Sequence, residues 1–247
     1  MLRVRRLSLR YPNGKLALSE FELSVEAGEF VVVLGGNGSG KTTLLRCITR
    51  TAKPSAGEIW LGETNLCALE GEKLRRARLA LAKIWQHASL VRRRSVLANV
   101  ATGALGRHYT LRTVFGGLPA SELDAARGHL AEVGLAHLAE QRAGTLSGGQ
   151  AQRVAIARAL AQRPRVLLAD EPVASLDPEA AEEIMRLLQR LARSENIAII
   201  CVLHQVELAY AYADRVVGIR AGRIVFDLPR DQVPRDAVHR LYLPEAA

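Results

Sequence analysis

The sequence predicts an α/β domain in which a parallel sheet is preceded by an antiparallel β subdomain and interrupted by an inserted helical subdomain. Three observations predict it. Phe30-Val31-Val32-Val33-Leu34 is an unbroken apolar, largely β-branched run, the composition of a strand buried on both faces, and a glycine-rich turn follows it at once. Upstream, Leu2 to Tyr11 and Leu18 to Glu26 alternate in places and carry the turn signals Asn13-Gly14 and Ala27-Gly28, the pattern of short antiparallel strands. Downstream, Gln86 to Ala143 is helical in composition, after which helix and strand patterns alternate again.

Taken in order, the elements divide one domain over residues 1–247. A β lip and the first part of the core occupy 1–86, the helical subdomain 87–145, the rest of the core 146–227, and a tail 228–247. The insertion has Leu130, Val133 and Leu138 at heptad-like spacing and is interrupted by Phe115-Gly116-Gly117-Leu118-Pro119. Beyond it, Ser147 to Arg163 reads as a helix, Val166 to Ala169 as a strand, Pro178 to Arg193 as a helix and Ile197 to Leu203 as a strand. The tail, with Pro229, Pro234 and Pro244, reads as a short peripheral extension.

Composition narrows the class. With 247 residues, 49% of them hydrophobic and 24% charged, the chain can bury its own core. Its longest apolar runs, Phe30 to Leu34 and Ile197 to Leu203, fall far short of the roughly 20 residues that cross a bilayer. The start, Met-Leu-Arg-Val-Arg-Arg, has no apolar stretch or cleavage site after it, so a cytosolic protein without a signal peptide is expected. Cys47, Cys67 and Cys201 stand far apart with no second cysteine or histidine at metal spacing, which predicts three free thiols in a reducing compartment. The net charge of +9 suits an anionic partner. Its two dense clusters, Lys73 to Arg78 and Arg92 to Arg94, lack the interleaved aromatics that stack on bases, and no nucleic-acid partner is expected.

Gly35-Gly36-Asn37-Gly38-Ser39-Gly40-Lys41-Thr42, followed by Thr43, fits G-x-x-x-x-G-K-[ST] between a strand and a helix, the phosphate-binding P-loop of nucleotide hydrolases. The glycines let backbone N–H groups converge on phosphate oxygens, and the helix N-terminus adds partial positive charge. Lys41 reaches the outer phosphates, and the Thr42 hydroxyl is placed for Mg²⁺. Such a loop needs a carboxylate on a neighbouring strand. Val166-Leu167-Leu168-Ala169-Asp170-Glu171 supplies Asp170 on the metal side and Glu171 as the general base that polarises the attacking water. Leu146-Ser147-Gly148-Gly149-Gln150 opens a second helix, with Ser147 as its cap, and is a second phosphate-seeking terminus. Since one nucleotide already has a cradle, this one serves a nucleotide held by another copy.

Together these motifs make the chain similar to ABC (ATP-binding cassette) ATPases over nearly its whole length. The resemblance implies ATP and Mg²⁺ as ligands and a head-to-tail homodimer. Each site would pair one chain's P-loop with Ser147, Gly148, Gly149 and Gln150 of the other. It also implies an integral membrane permease partner, served by an exported substrate-binding protein, and a place on the cytoplasmic face of the cell membrane. Tyr11 resembles the aromatic that stacks on adenine, Gln86 the glutamine that contacts Mg²⁺ and the membrane subunit, Asp177 of Ser175-Leu176-Asp177 the loop across the dimer interface, and His204 the switch histidine at the γ-phosphate. His204 also has a physical argument, because it ends a strand at the carboxyl edge of the sheet, where α/β folds bind ligands.

Within the family the chain most resembles the ATPases of phosphonate importers. The resemblance is carried by Ser95-Val96-Leu97-Ala98-Asn99-Val100, Val173-Ala174, Leu203-His204-Gln205-Val206 and the Gly103 to Pro119 segment with Arg112-Thr113-Val114-Phe115-Gly116. His87-Ala88-Ser89 and Ala151-Gln152-Arg153 depart from the pattern. A motor for another solute, and a soluble ABC ATPase of a phosphonate-degrading or other cytosolic complex, are the alternatives at this stage.

Overall fold

The computed structural model describes residues 1–108, 113 and 117–243. Tyr109 to Arg112, Val114, Phe115, Gly116 and Pro244 lie outside the described residues, and with them most of the expected glycine break and of the Arg112 to Gly116 segment.

Two sheets face each other. The smaller is antiparallel, in the order β2-β1-β4-β5. It is built from β1 (Leu2–Arg10), β2 (Leu16–Val25), β4 (Ala56–Leu61) and β5 (Thr64–Asn65). The larger has the order β10-β9-β3-β8-β7-β6. It comprises β3 (Phe30–Leu34), β6 (Leu81–Ile84), β7 (Val166–Asp170), β8 (Ala198–Val202), β9 (Arg215–Arg220) and β10 (Arg223–Pro229). All its neighbours pair in parallel except the β9–β10 hairpin at one edge.

The apolar run that predicted β3 is buried along its whole length because two cores share it. Phe30, Val32 and Leu34 belong to one, and Val31 and Val33 to the other. The period of two sends alternate side chains to opposite faces. β8 divides the same way, Ile199 and Cys201 against Ala198, Ile200 and Val202. The Val31 face packs on the small sheet through α1 (Lys41–Ile48), whose Leu44, Leu45 and Ile48 are fully buried. The Phe30 face packs on α5 (Gly148–Leu160) and α6 (Pro178–Ser194). α6 turns Ile184, Leu188 and Leu191 inward at helical spacing.

The insertion contains α3 (Val96–Ala101), a 3₁₀ stretch (Thr102–Arg107) and α4 (Ala120–Glu132). Among the described residues it has no core of its own. Val96, Val100, Ala126 and Leu130 join the same cluster as α5 and β3. Leu130 and Val133 are buried, as their spacing predicts, whereas Leu138 lies in a 3₁₀ turn at the rim. The basic cluster at Lys73 forms α2 (Gly71–Arg78), where Glu72 takes hydrogen bonds from Arg75 and Arg76.

One expectation changes. The tail is not merely peripheral. After α7 (Val206–Tyr212), β9 and β10, the short α8 (Arg235–Arg240) buries Ala237, Val238 and Leu241. Leu241 O also packs so close to Gly36 that a Cβ there would lie 3.3 Å away. The strand at Leu228 belongs to β10 and not to a loose extension. The three cysteines are free, as expected. Burial pushes the Cys47 thiol up to about 12 and raises Cys201 as well, so both are inert packing residues.

Candidate functional site

β3, β7 and β8 run parallel, so their carboxyl ends reach one edge together. The glycine-rich loop, the Asp170–Glu171 pair and His204 follow the ends of these three strands. The loop from Gly35 to Gly40 joins β3 to α1, and its path admits only glycine at two points. A Cβ on Gly35 would stand 2.3 Å from Ile219 O, and one on Gly40, where φ is 110°, 2.6 Å from Ala17 O. Lys41 opens α1, is 6% exposed and curls back over the loop, donating from Nζ to Gly35 O at 2.6 Å and Gly36 O at 2.9 Å. Burial lowers its pKa, while the charges of Glu171 and Asp170 act the other way. Ser39 Oγ is buried in this loop without a hydrogen-bond partner. Tyr11 lies beside the first turn of α1, with its Oη 3.2 Å from Thr43 Oγ1.

β7 ends on Asp170, which is 9% exposed and accepts a hydrogen bond on Oδ2 from Lys83 Nζ at 2.9 Å. Glu171 comes next with φ of 53°, a left-handed conformation that costs a non-glycine residue about 1 kcal/mol or more. Its N–H donates to Val202 O at 3.1 Å, which fixes that turn to β8. The result is a carboxylate turned toward His204, with Oε1 2.7 Å from Nε2. Thr42, Gln86, Asp170 and Glu171 line one cavity of about 370 Å³ together with Trp85, His87 and Ser89. His87, given no role from the sequence, is therefore at the cavity wall.

The Ser147 and Asp177 motifs lie elsewhere. Ser147 caps α5, its Oγ accepting from Gln150 N at 3.2 Å, while Gln150 Oε1 accepts from Ser147 N at 3.0 Å. This capping box holds the Ser147-Gly148-Gly149 turn open. Asp177 caps α6 by accepting from Ala180 N at 2.9 Å. The two caps are neighbours, because a Cβ on Gly148 would lie 3.3 Å from Leu176 Cδ2 and one on Gly149 3.3 Å from Ala180 Cβ. None of these residues lines the Thr42–Glu171 cavity.

The loop fits an anion. Its glycines leave room, the orphaned Ser39 hydroxyl offers a donor, and Lys41 can exchange two carbonyls for phosphate oxygens. The cavity fits a hard cation, because Thr42, Gln86 and Asp170 present hydroxyl, amide and carboxylate oxygens. Among the described residues no group of three His, Cys, Asp or Glu gathers as an all-protein metal cage. A metal here would be shared with the phosphate oxygens, the manner in which Mg²⁺ is usually held.

Sequence reasoning missed the clamps on the Gln86 segment. Gln152, 3% exposed, donates from Nε2 to Trp85 O at 3.1 Å. Arg158 donates to Ala88 O at 2.7 Å and to Ser89 O at 2.9 Å. They stand six residues apart on α5, less than two turns and not on one face, so no periodicity in the sequence marks them as partners of one loop. Asn99, 1% exposed, grips the next loop by accepting from Val91 N at 2.7 Å and donating to Ser95 O at 2.9 Å.

The ABC transporter family pattern matches residues 18–174. A phosphonates import ATP-binding protein of Wolinella succinogenes is 44% identical over 98% of this chain and 88% of its own length. A phosphite import ATP-binding protein of Stutzerimonas stutzeri is 46% identical over 98% of this chain and 87% of its own. Among solved structures, the cbiO1 protein of Clostridium perfringens, part of an ABC transporter complex, superposes with a TM-score of 0.84 at 31% identity, covering 97% of this chain and 92% of that one. A dimeric bacterial ABC transporter cassette gives 0.78 at 30% identity over 93% and 99%.

The capping box carries one expectation. Ser147→Ala removes the side-chain acceptor at the start of α5 and should lower stability by about 1 kcal/mol, read as a shift of the denaturant midpoint with unchanged slope.

Proposed function

The chain belongs to the ABC transporter family, and from that membership we propose that it is the ATP-hydrolysing motor of an importer for phosphonates or a related phosphorus anion. One observation carries the reading: the Lys41 loop, the Asp170–Glu171 turn and His204 converge on the carboxyl edge of one sheet. The cargo follows from the relatives named for phosphonate import.

In this reading the N–H groups of Gly36 to Lys41 and the Lys41 ammonium hold the outer phosphates of ATP, and Tyr11 stacks on the adenine. Thr42, Gln86 and Asp170 hold Mg²⁺, which neutralises phosphate charge when bound. Glu171 is the base. It accepts a proton from water as the water oxygen attacks the γ-phosphorus and the bond to the ADP oxygen breaks. His204 positions the Glu171 carboxylate through the 2.7 Å contact and faces the γ-phosphate. Ser147, Gly148, Gly149 and Gln150 of a second copy, with Asp177, complete each site across a head-to-tail dimer. Their separation from the chain's own cavity supports that arrangement, as does the dimeric solved cassette.

Closure of the dimer is the mechanical output. The Gln86 segment joins the cavity to an exposed surface of Trp85, Val91 and Arg92 to Arg94, and this surface docks the permease. No described helix is long and apolar enough to cross a membrane, consistent with a peripheral subunit on the cytoplasmic face. The exported binding protein is met only through the permease. The solute never reaches this chain, so phosphite is the second reading, favoured by the 46% identical relative.

Reconstitution with the cognate permease and binding protein tests the proposal. Methylphosphonate should raise ATP turnover several-fold. Stimulation by phosphite alone replaces the cargo and keeps the motor, and failure to assemble with any permease returns the chain to the soluble-complex alternative. In the same system Glu171→Gln should bind ATP as tightly as the unaltered chain, lose at least about a hundredfold in turnover and accumulate as a dimer on gel filtration with ATP. Turnover at the unaltered rate would remove Glu171 from the role of base.

A further inference from the structure

β6 is the edge strand of the large sheet on the side of β7. Its sequence is Leu81-Ala82-Lys83-Ile84, so Lys83 is a charged residue among three buried apolar ones. Lys83 pairs with Leu168 in the ladder, and its side chain runs along the sheet to the end of β7. The ammonium lies 2.9 Å from Asp170 Oδ2 and 3.7 Å from the centre of the Trp85 ring. The side chains of both ions are nearly enclosed, 10% exposed for Lys83 and 12% for Asp170.

Packing does not explain a lysine here. An apolar side chain of the same length would fill the position without the cost of stripping water from an ammonium, and buried ion pairs often gain nothing over apolar replacements. The lysine is directed at one carboxylate, and that carboxylate shares its cavity with Thr42 and Gln86.

We propose that Lys83 is a positioning residue that sets the divalent-cation requirement of the nucleotide site, acting as a resident monovalent cation on Oδ2 of Asp170 with which an incoming Mg²⁺ has to share the carboxylate. The inference rests on the reading of Asp170 as the metal-side carboxylate. Two effects oppose each other. Lys83 fixes the orientation of the carboxylate, which favours metal binding by the worth of one hydrogen bond. Its charge also repels a divalent ion on the same group, an interaction that scales with the product of the charges and fades little over one carboxylate's width. The second effect is the larger. The unaltered chain therefore needs more Mg²⁺ than it would with a neutral residue at 83.

Trp85 provides a readout that does not depend on turnover. The chain has two tryptophans, and with Trp60→Phe as background the emission of Trp85, which lines the same cavity as Thr42, Gln86 and Asp170, reports on Mg²⁺ entering it in every variant. Mg²⁺ is titrated at a saturating non-hydrolysable ATP analogue. Lys83→Met should lower the half-saturating Mg²⁺ about tenfold, whereas Lys83→Arg, which keeps the charge and the hydrogen bond, should stay within about twofold of the unaltered chain. Lys83→Gln, a polar neutral side chain, gives the same comparison if the methionine variant does not fold. A half-saturation that is unchanged or raised in the neutral variants overturns the proposal. Asp170→Asn separates the two levels. If it leaves the Mg²⁺ titration unmoved, Asp170 is not the metal carboxylate and the underlying reading fails. If it weakens Mg²⁺ while Lys83→Met changes nothing, only the role of Lys83 fails.

Discussion

The parallel pairing of β3, β8 and β7, buried on both faces, is the constraint from which the rest of the structure follows. Parallel strands need helical crossovers, and crossovers on both sides bury every strand residue. Side chains that do chemistry are thereby driven off the strand bodies and onto their ends. The Lys41 loop, Asp170, Glu171 and His204 are all residues at or just beyond a strand's last apolar position. The sheet thus fixes their spacing before any of them makes a contact of its own. What the local contacts add is aim. The left-handed Glu171 is tied back to β8, Lys41 is folded over the loop, and Lys83 and His204 each hold one of two adjacent carboxylates.

Two glycine-led helix N-termini stand apart in the molecule. One stands at α1 beside the cavity, and the other at α5, braced against the Asp177 cap of α6. Both are built to the same physical specification, glycine freedom followed by uncapped or side-chain-capped N–H groups. Yet Gln152 and Arg158, farther along α5, reach back to the Gln86 segment that walls the first cavity. These contacts tie α5 to the segment that leads to the exposed surface beside Arg92 to Arg94.

Much of this was legible in the sequence where one residue type has one job. β3, β7 and β8 announce themselves as apolar runs, and the P-loop has few other uses. β6 was not legible because Lys83 interrupts it, and the reason for the lysine lies 87 positions away at Asp170. β9 and β10 were hidden by their mixed composition, Arg215 and Arg220 bounding one of them and Arg223, Asp227 and Pro229 breaking the apolar pattern of the other. The tail read as peripheral because Pro229 and Pro234 signal a break, and they do break it, into a strand end and the start of α8. The burial of Leu241 against Gly36 depends on the return of the chain and leaves no local signature. The insertion was correctly read as helical, but its dependence on the core of α5 and β3 is a property of packing that periodicity does not carry.

The central claim is that the edge at Gly35 to Lys41 is a nucleotide phosphate cradle, and calorimetric titration of Mg-ATP into the intact chain and into Lys41→Ala tests it most directly. The account expects one nucleotide per chain for the first and at least a tenfold loss of affinity for the second, because the ammonium that now bonds two loop carbonyls is the group that would turn to the outer phosphates. Equal affinities, or no binding by the intact chain, would contradict it.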